Sequence, residues 1–88
     1  MNILEEANEI IFKRSEEKQR QYGPIDESIA KAARVATELC GKKITTADFY
    51  KCLIALKISR MAYNVKYDTM LDCIGYIAAY ENFENNEK

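Results

Sequence analysis

The segment from Ile44 to Phe49 constrains the fold more than any other part of the chain, because it carries the signature of a helix N-terminus. Thr45 stands at the N-cap position and Asp48 follows three residues later, which is the spacing of an acidic capping box. Ile44 and Phe49 occupy the positions of a hydrophobic staple. The pattern predicts a helix that begins here and runs to about Tyr63.

Glycine and proline mark the ends of further helices. Gly23 and Pro24 end a first helix, because glycine adopts the left-handed C-cap geometry and proline cannot continue a helix. Gly41 ends a second helix in the same way. The first helix opens with Asn2 and Glu5, again at capping-box spacing. Three more helices are therefore predicted, at 2–21, 26–40 and 68–83, followed by a polar tail at 84–88.

Composition predicts one small folded domain. Of the 88 residues 48% are hydrophobic, which is more than a disordered chain carries, and two domains would each be too short to support a core. We therefore expect an all-α, compact four-helix domain over residues 1–83. The third helix is apolar on two faces, so it is expected at the centre, with its second face covered by another copy in a homo-oligomer. That second face consists of Tyr50, Ile54, Ile58 and Met61.

The charge balance and the cysteines limit the expected partners and compartment. Thirteen basic and fourteen acidic residues give a net charge of −1, which favours neither a DNA or RNA backbone nor a membrane surface as partner. Cys40, Cys52 and Cys73 are odd in number and form no C-x-x-C pair. Such cysteines are typical of buried thiols in a reducing compartment, so a cytoplasmic location is expected.

Arg60 is the least expected residue of the third helix, because helical spacing places it in the middle of an apolar face. Lys57 lies one turn earlier, at the edge of that face. Burying a lone charge costs several kcal/mol, so these cations need partners. The fourth helix offers Asp68 and Asp72, which antiparallel packing brings opposite the two cations, and Gly75 would let the third and fourth helices approach closely.

This cluster has two interpretations. In the first, the four charges form an interhelical salt-bridge network that fixes the register of the two helices. In the second, Lys57 and Arg60 bind a phosphate or carboxylate group, with Tyr22 or Tyr76 stacking nearby. The two are compatible if the carboxylates orient the cations.

Carboxylates offer a third interpretation, a magnesium-dependent hydrolase. Glu6 and Glu9 have E-x-x-E spacing, and Asp68 with Asp72 adds two more oxygen ligands of the kind that magnesium prefers. The arrangement is similar to that of small helical nucleoside-triphosphate pyrophosphohydrolases. Those enzymes have a later E-x-x-D pair, whereas the later pair here is D-x-x-x-D. Nothing indicates an activated nucleophile, so we assign no catalytic residue and, outside this alternative, no cofactor.

Several short motifs are spread over the chain between residues 22 and 80. They are Tyr22-Gly23, Ile44-Thr45-Thr46-Ala47-Asp48, Leu56-Lys57-Ile58-Ser59-Arg60, Asp68 and Asp72-Cys73-Ile74-Gly75-Tyr76. Together they resemble a family of small uncharacterised proteins from bacteriophages and prophages. The chain departs from the family pattern at Pro24, where an aspartate is usual, and in lacking a tryptophan of the second helix.

The resemblance implies an all-helical fold, a phage origin and a location in the host cytoplasm, but no known activity. Short phage proteins often act by inhibiting a host protein or by sequestering a nucleotide signal of host defence. We therefore expect a non-enzymatic binding protein that recognises a nucleotide-like anion or a host protein.

Overall fold

Four α-helices account for 84% of the residues that the computed structural model describes, namely 1–13 and 24–87. The helices are α1 (Ile3–Phe12), α2 (Ile25–Cys40), α3 (Thr46–Tyr63) and α4 (Tyr67–Glu87). The described residues contain no strand. The predicted all-α, four-helix fold is therefore confirmed. The second half of the predicted first helix and the Tyr22-Gly23 turn lie outside the described ranges.

Both predicted capping boxes are present. The Asn2 side chain accepts a hydrogen bond of 2.9 Å from the Glu5 backbone N–H. Thr45 Oγ1 accepts one of 3.0 Å from the Asp48 N–H, and the Asp48 carboxylate accepts one of 3.1 Å from the Thr45 N–H. This last bond lowers the pKa of Asp48 below its usual value, because it stabilises the ionised carboxylate. These local bonds fix where α1 and α3 begin.

The connection between α2 and α3 is held by Thr37. Its hydroxyl accepts a hydrogen bond of 2.9 Å from the Ile44 backbone N–H. Gly41 ends α2 with φ at +71°, a left-handed geometry that glycine adopts without strain, and its N–H donates to the Thr37 carbonyl. The turn therefore sets the direction in which α3 leaves α2.

The helices pack in the order α1, α4, α3 and α2. The fourth helix contacts α1 on one side and α3 on the other, and α3 also contacts α2. As predicted, α3 is a central helix with a neighbour on each side, and α4 is the second central helix. The fourth helix continues to Glu87, so it is longer than the predicted 68–83 and includes residues 84–87 of the polar segment.

The core is centred on Tyr50, whose side chain is fully buried. Its ring lies 5.7 Å, between centroids, from each of the rings of Tyr80 and Phe83 on α4. Its hydroxyl donates a hydrogen bond to the Asp26 carboxylate in the first turn of α2. Tyr50 thus ties three helices together, since it belongs to α3 and contacts both neighbours.

The three cysteines differ in their burial. Cys73 is buried, as expected, but Cys40 and Cys52 are exposed, because they lie on parts of α2 and α3 that face away from the packed helices. The expectation that all three thiols are buried is therefore wrong for two of them.

In the ranges 1–13 and 24–87, none of the helices has the length and apolar character required to cross a membrane.

Candidate anion-binding site

Lys57 and Asp72 form the predicted ion pair between α3 and α4. Lys57 Nζ donates a hydrogen bond of 3.1 Å to Asp72 Oδ2. The Lys57 side chain is only 14% exposed, whereas that of Asp72 is 43% exposed. Lys57 lies on the stripe of α3 that packs against its neighbours, with Tyr50 and Leu53 further along the same stripe. This pair therefore links α3 to α4, and the charge of its cation is already neutralised.

The unequal burial of the pair predicts unequal effects of its two deletions. Asp72→Ala should lower the free energy of unfolding by about 2 kcal/mol, because it leaves a mostly buried ammonium group without a partner. Lys57→Met should cost less than half of that, since the remaining carboxylate is close to water and the apolar stem is retained. Urea unfolding followed by circular dichroism measures both, and a larger loss in Lys57→Met would contradict the assignment.

Arg60 is not in the position that the sequence predicted. Its side chain is exposed, and within the described part of the chain it forms no ion pair with Asp68, Asp72 or any other carboxylate. The expectation of a buried Arg60 is wrong because the packed stripe of α3 is centred on Lys57, which leaves Arg60 at its edge in the last helical turn. Tyr63, one turn further on, is 96% exposed, so the helix end projects beyond the core.

Arg60 instead contributes to an open pocket of about 580 Å³ at the turn between α3 and α4. A second cation, Lys66, lines the same pocket. The remaining lining residues carry hydroxyl and amide groups: Ser59, Tyr63, Asn64 and Thr69. No carboxylate lines this pocket, although Asp68 is close in sequence. The pocket therefore concentrates positive charge and hydrogen-bond donors without a neutralising group.

This combination of side chains suits an oxyanion. A guanidinium group can bind two oxygens of a phosphate or carboxylate at once, and an ammonium group adds a point charge. Hydroxyl and amide N–H groups such as those of Ser59 and Asn64 supply further donors. The exposed ring of Tyr63 offers an aromatic face at the rim, on which a planar ligand can stack.

The tyrosines predicted for this site are elsewhere. Tyr76 is half-buried and lines a separate cavity of about 210 Å³, together with Asp72 and Gly75. Tyr22 lies outside the described residues. The structure therefore does not bring Lys57, Arg60 and Tyr76 into one pocket, and only Arg60 of these residues faces the cationic pocket at the α3–α4 turn.

Gly75 allows a close approach, but of a different helix. A Cβ atom at this position would lie 2.9 Å from Cγ1 of Ile11, in α1. The prediction that Gly75 permits contact between the third and fourth helices is therefore wrong. Sequence alone does not distinguish the two arrangements, because α1 and α3 both have apolar faces that could pack on α4.

Three of the four carboxylates of the hydrolase hypothesis are engaged in other contacts. Glu6 accepts a hydrogen bond from the Tyr67 hydroxyl, Glu9 pairs with Lys13 at 3.5 Å, and Asp72 pairs with Lys57. In the ranges that the structure covers, no three histidine, cysteine, aspartate or glutamate side chains are grouped as a metal ion would require. The geometry gives no support to a magnesium site formed by Glu6, Glu9, Asp68 and Asp72.

Sequence reasoning did not identify Lys66, Ser59, Asn64 or Thr69. Arg60 lies in the last turn of α3 and Lys66 directly precedes α4, so that the short turn between the helices brings both cations to one pocket. Two cations that flank a short interhelical turn are the signal that could have indicated the pocket.

Comparisons with known proteins identify a family but no described relative. No curated protein and no solved structure matches the chain. A family model described as "Domain of unknown function (DUF6378)" matches residues 2–84, which is nearly the whole chain. This agrees with the expectation of an uncharacterised family, and we conclude that the chain belongs to the DUF6378 domain family.

Proposed function

We propose that this protein is a non-enzymatic binding protein that recognises a phosphate-bearing, nucleotide-like anion at the α3–α4 turn. The observation that carries the proposal is that Arg60 and Lys66 share one pocket that no carboxylate lines. Of the two cations singled out in the sequence, Lys57 is paired with Asp72, whereas Arg60 remains accessible to a ligand. The salt-bridge and anion-site interpretations therefore apply to different residues.

A nucleotide fits the pocket better than a simple ion does. Its phosphates would contact Arg60 and Lys66, since these supply the charge, and its base would stack on the ring of Tyr63 at the rim. A pocket of about 580 Å³ is large enough for more than one phosphate group. Net charge does not oppose this binding, because the protein carries only −1 overall and the positive charge is concentrated locally.

The wider biological role belongs to the same proposal. The motif resemblance supports a phage or prophage origin and action in the cytoplasm of a bacterial host. Sequestering a nucleotide signal of host defence is the role that combines this origin with an anion pocket. Recognition of an acidic segment of a host protein by the same cations is the alternative form of the proposal.

Titration with three probes tests the ligand class. ADP, pyrophosphate and adenosine are added to the ¹⁵N-labelled protein, and amide shifts are followed by NMR. We expect ADP and pyrophosphate to move the amides of residues 59–69. Arg60→Ala should lower the affinity for both ligands by at least tenfold, because a charge-assisted hydrogen bond contributes about 1.5–3 kcal/mol. Tyr63→Ala should lower the affinity for ADP but not for pyrophosphate.

Arg34→Ala is the matched control, since it removes an exposed arginine of α2 that does not line this pocket. Equal losses in Arg34→Ala and Arg60→Ala would show nonspecific attraction and reject the site. Absence of shifts at residues 59–69 with both phosphate probes would reject it as well.

The enzymatic alternative has its own readout. The protein is incubated with nucleoside triphosphates and Mg²⁺, and pyrophosphate release is measured. Binding without turnover is expected. Release that is lost in Glu6→Gln and in Asp72→Asn would establish a pyrophosphohydrolase and replace the present proposal.

A further inference from the structure

A second pocket, which we call the α2–α3 pocket, lies where the turn between α2 and α3 meets the end of α4. Its volume is about 400 Å³. Arg34 and Lys43 supply two cations, and both residues are exposed. Thr45 and Thr46 add two hydroxyl groups. The remaining wall is formed by apolar side chains: Ala30, Ala33, Ile44 and Phe83. The pocket therefore has a cationic side and an apolar side.

The positive charge of the α2–α3 pocket is not neutralised within residues 1–13 and 24–87. Glu38 lies one turn along α2 from Arg34 and forms no ion pair with it. Asp48, in the first turn of α3, accepts a hydrogen bond from the Thr45 backbone N–H. Among the described residues, no carboxylate lines the pocket. An anion that enters it meets Arg34 and Lys43 without displacing a partner from either cation.

Hydrogen bonds at the start of α3 hold the wall of the α2–α3 pocket in place. Thr37 Oγ1 accepts a bond of 2.9 Å from the Ile44 N–H, which fixes the turn to α2. Thr45 Oγ1 accepts a bond of 3.0 Å from the Asp48 N–H, so its own O–H can still donate to a ligand. Phe83 packs against the buried core. A ligand therefore finds most of the site already formed, which lowers the entropic cost of binding.

We propose that the α2–α3 pocket binds a small ligand that joins one oxyanion group to an apolar ring, such as an aryl carboxylate. The guanidinium group of Arg34 binds both oxygens of the carboxylate, and Lys43 adds a second positive charge. The ring lies on the apolar wall, with Phe83 as its aromatic contact. Ligand sites commonly combine an apolar wall with a few polar groups in this way.

This site does not depend on the pocket that contains Arg60 and Lys66. Thr46 and Arg60 lie near opposite ends of α3, about 21 Å apart along the helix axis. The two pockets also differ in character, since the pocket at the α3–α4 turn is lined mainly by hydroxyl, amide and cationic groups. Binding at either pocket can therefore be present or absent without the other.

The face of α3 that the sequence assigned to a homo-oligomer offers no comparable surface. Tyr50 is buried, and Ile54 and Met61 are half-buried within the chain. Ile58, at 53%, is the member of that face with substantial exposure. The expectation that this whole face is left open is therefore wrong, because neighbouring helices of the same chain cover most of it.

NMR titration of the ¹⁵N-labelled full chain with three probes tests the proposal. Benzoate carries both the ring and the charge, acetate carries the charge without the ring, and benzyl alcohol carries the ring without the charge. We expect benzoate to shift the amides of residues 43–47 and of Phe83, with at least tenfold higher affinity than either other probe. Acetate or benzyl alcohol binding as tightly as benzoate would contradict the proposed ligand class. Absence of a saturable shift up to about 10 mM benzoate would reject the site.

Two arginine variants locate the binding. Arg34→Ala should lower the affinity for benzoate at least tenfold, because it removes charge-assisted hydrogen bonds to the carboxylate. Arg60→Ala is the matched control, since it removes an exposed arginine that does not line the α2–α3 pocket. It should change the affinity by less than about twofold, because its charge is further away than the Debye length of about 10 Å at 0.1 M salt. Circular dichroism verifies that both variants fold. Equal losses in the two variants, or no loss in Arg34→Ala, would reject the proposal.

Discussion

Replacing Tyr50 with alanine is expected to lower the free energy of unfolding by about 4 kcal/mol. The side chain is fully buried, so the substitution leaves a cavity where α2, α3 and α4 meet. It also removes the ring contacts with Tyr80 and Phe83 and leaves the Asp26 carboxylate without its donor. Domains of this size are stable by about 5–15 kcal/mol, so this loss is a large fraction of the total stability.

Urea unfolding followed by circular dichroism measures this loss. Tyr63→Ala is the matched control, because that ring is 96% exposed and should contribute less than about 0.5 kcal/mol. Similar losses in the two variants would show that Tyr50 is not the centre of the core.

Tyr50→Phe separates the hydroxyl group from the ring and adds a pH signature to the same prediction. Burial, and the hydrogen bond to the Asp26 carboxylate, raise the pKa of Tyr50 above its usual value of 10.0. An unfolded chain therefore loses this proton near pH 10 while the folded chain retains it. The resulting stabilisation is complete below pH 10 and declines above it, by up to about 1.4 kcal/mol per pH unit.

The free energy of unfolding of the wild type should accordingly be about 1.5 kcal/mol higher than that of Tyr50→Phe at pH 7. This difference should shrink above pH 10. The two proteins differ only in the hydroxyl group of residue 50, so the comparison isolates Tyr50. A difference that stays constant to pH 11 would contradict the hydrogen bond to Asp26.

The helix starts were predictable from the sequence because their causes are local. Thr45 and Asp48 satisfy each other's backbone groups within four residues, so no knowledge of the rest of the fold is required. The Lys57–Asp72 pair was also predictable, since a short turn forces α3 and α4 to lie side by side. In each case the partners are close in sequence or follow from one connection.

The exposure of Arg60 was not predictable, because α3 carries two apolar stripes and the sequence does not show which of them the neighbouring helices cover. The structure covers the stripe centred on Lys57, and Arg60 is left at its edge. The pocket around Arg60 depends in turn on Lys66, whose position follows from the geometry of the turn and not from helical periodicity. Tertiary packing, not local pattern, therefore determines the candidate site.

Replacing Gly75 with leucine is expected to lower the free energy of unfolding by about 3 kcal/mol. Gly75 is buried, and a Cβ atom there would already lie 2.9 Å from Cγ1 of Ile11 and 3.3 Å from its Cδ1. Because Cγ1 is close to the backbone of α1, the larger side chain would push the whole helix away. Gly75→Ala should cost about 1 kcal/mol, less than the leucine variant, because its single Cβ atom also crowds Ile11 while the better helix propensity of alanine offsets part of that cost.

A double-mutant cycle with Ile11→Ala shows whether this loss arises at the α1–α4 contact. Ile11 is 7% exposed, so its truncation alone should cost about 3 kcal/mol. In the double variant the leucine can occupy the space that Ile11 vacates, so the combined loss should be smaller than the two separate losses by at least about 1 kcal/mol. Ala55→Leu, at an exposed position of α3, is the control and should change stability little. Additive losses would mean that α1 does not pack on Gly75. Because the sequence alone allows either α1 or α3 to pack at Gly75, this cycle determines which of the two helices contacts α4 there.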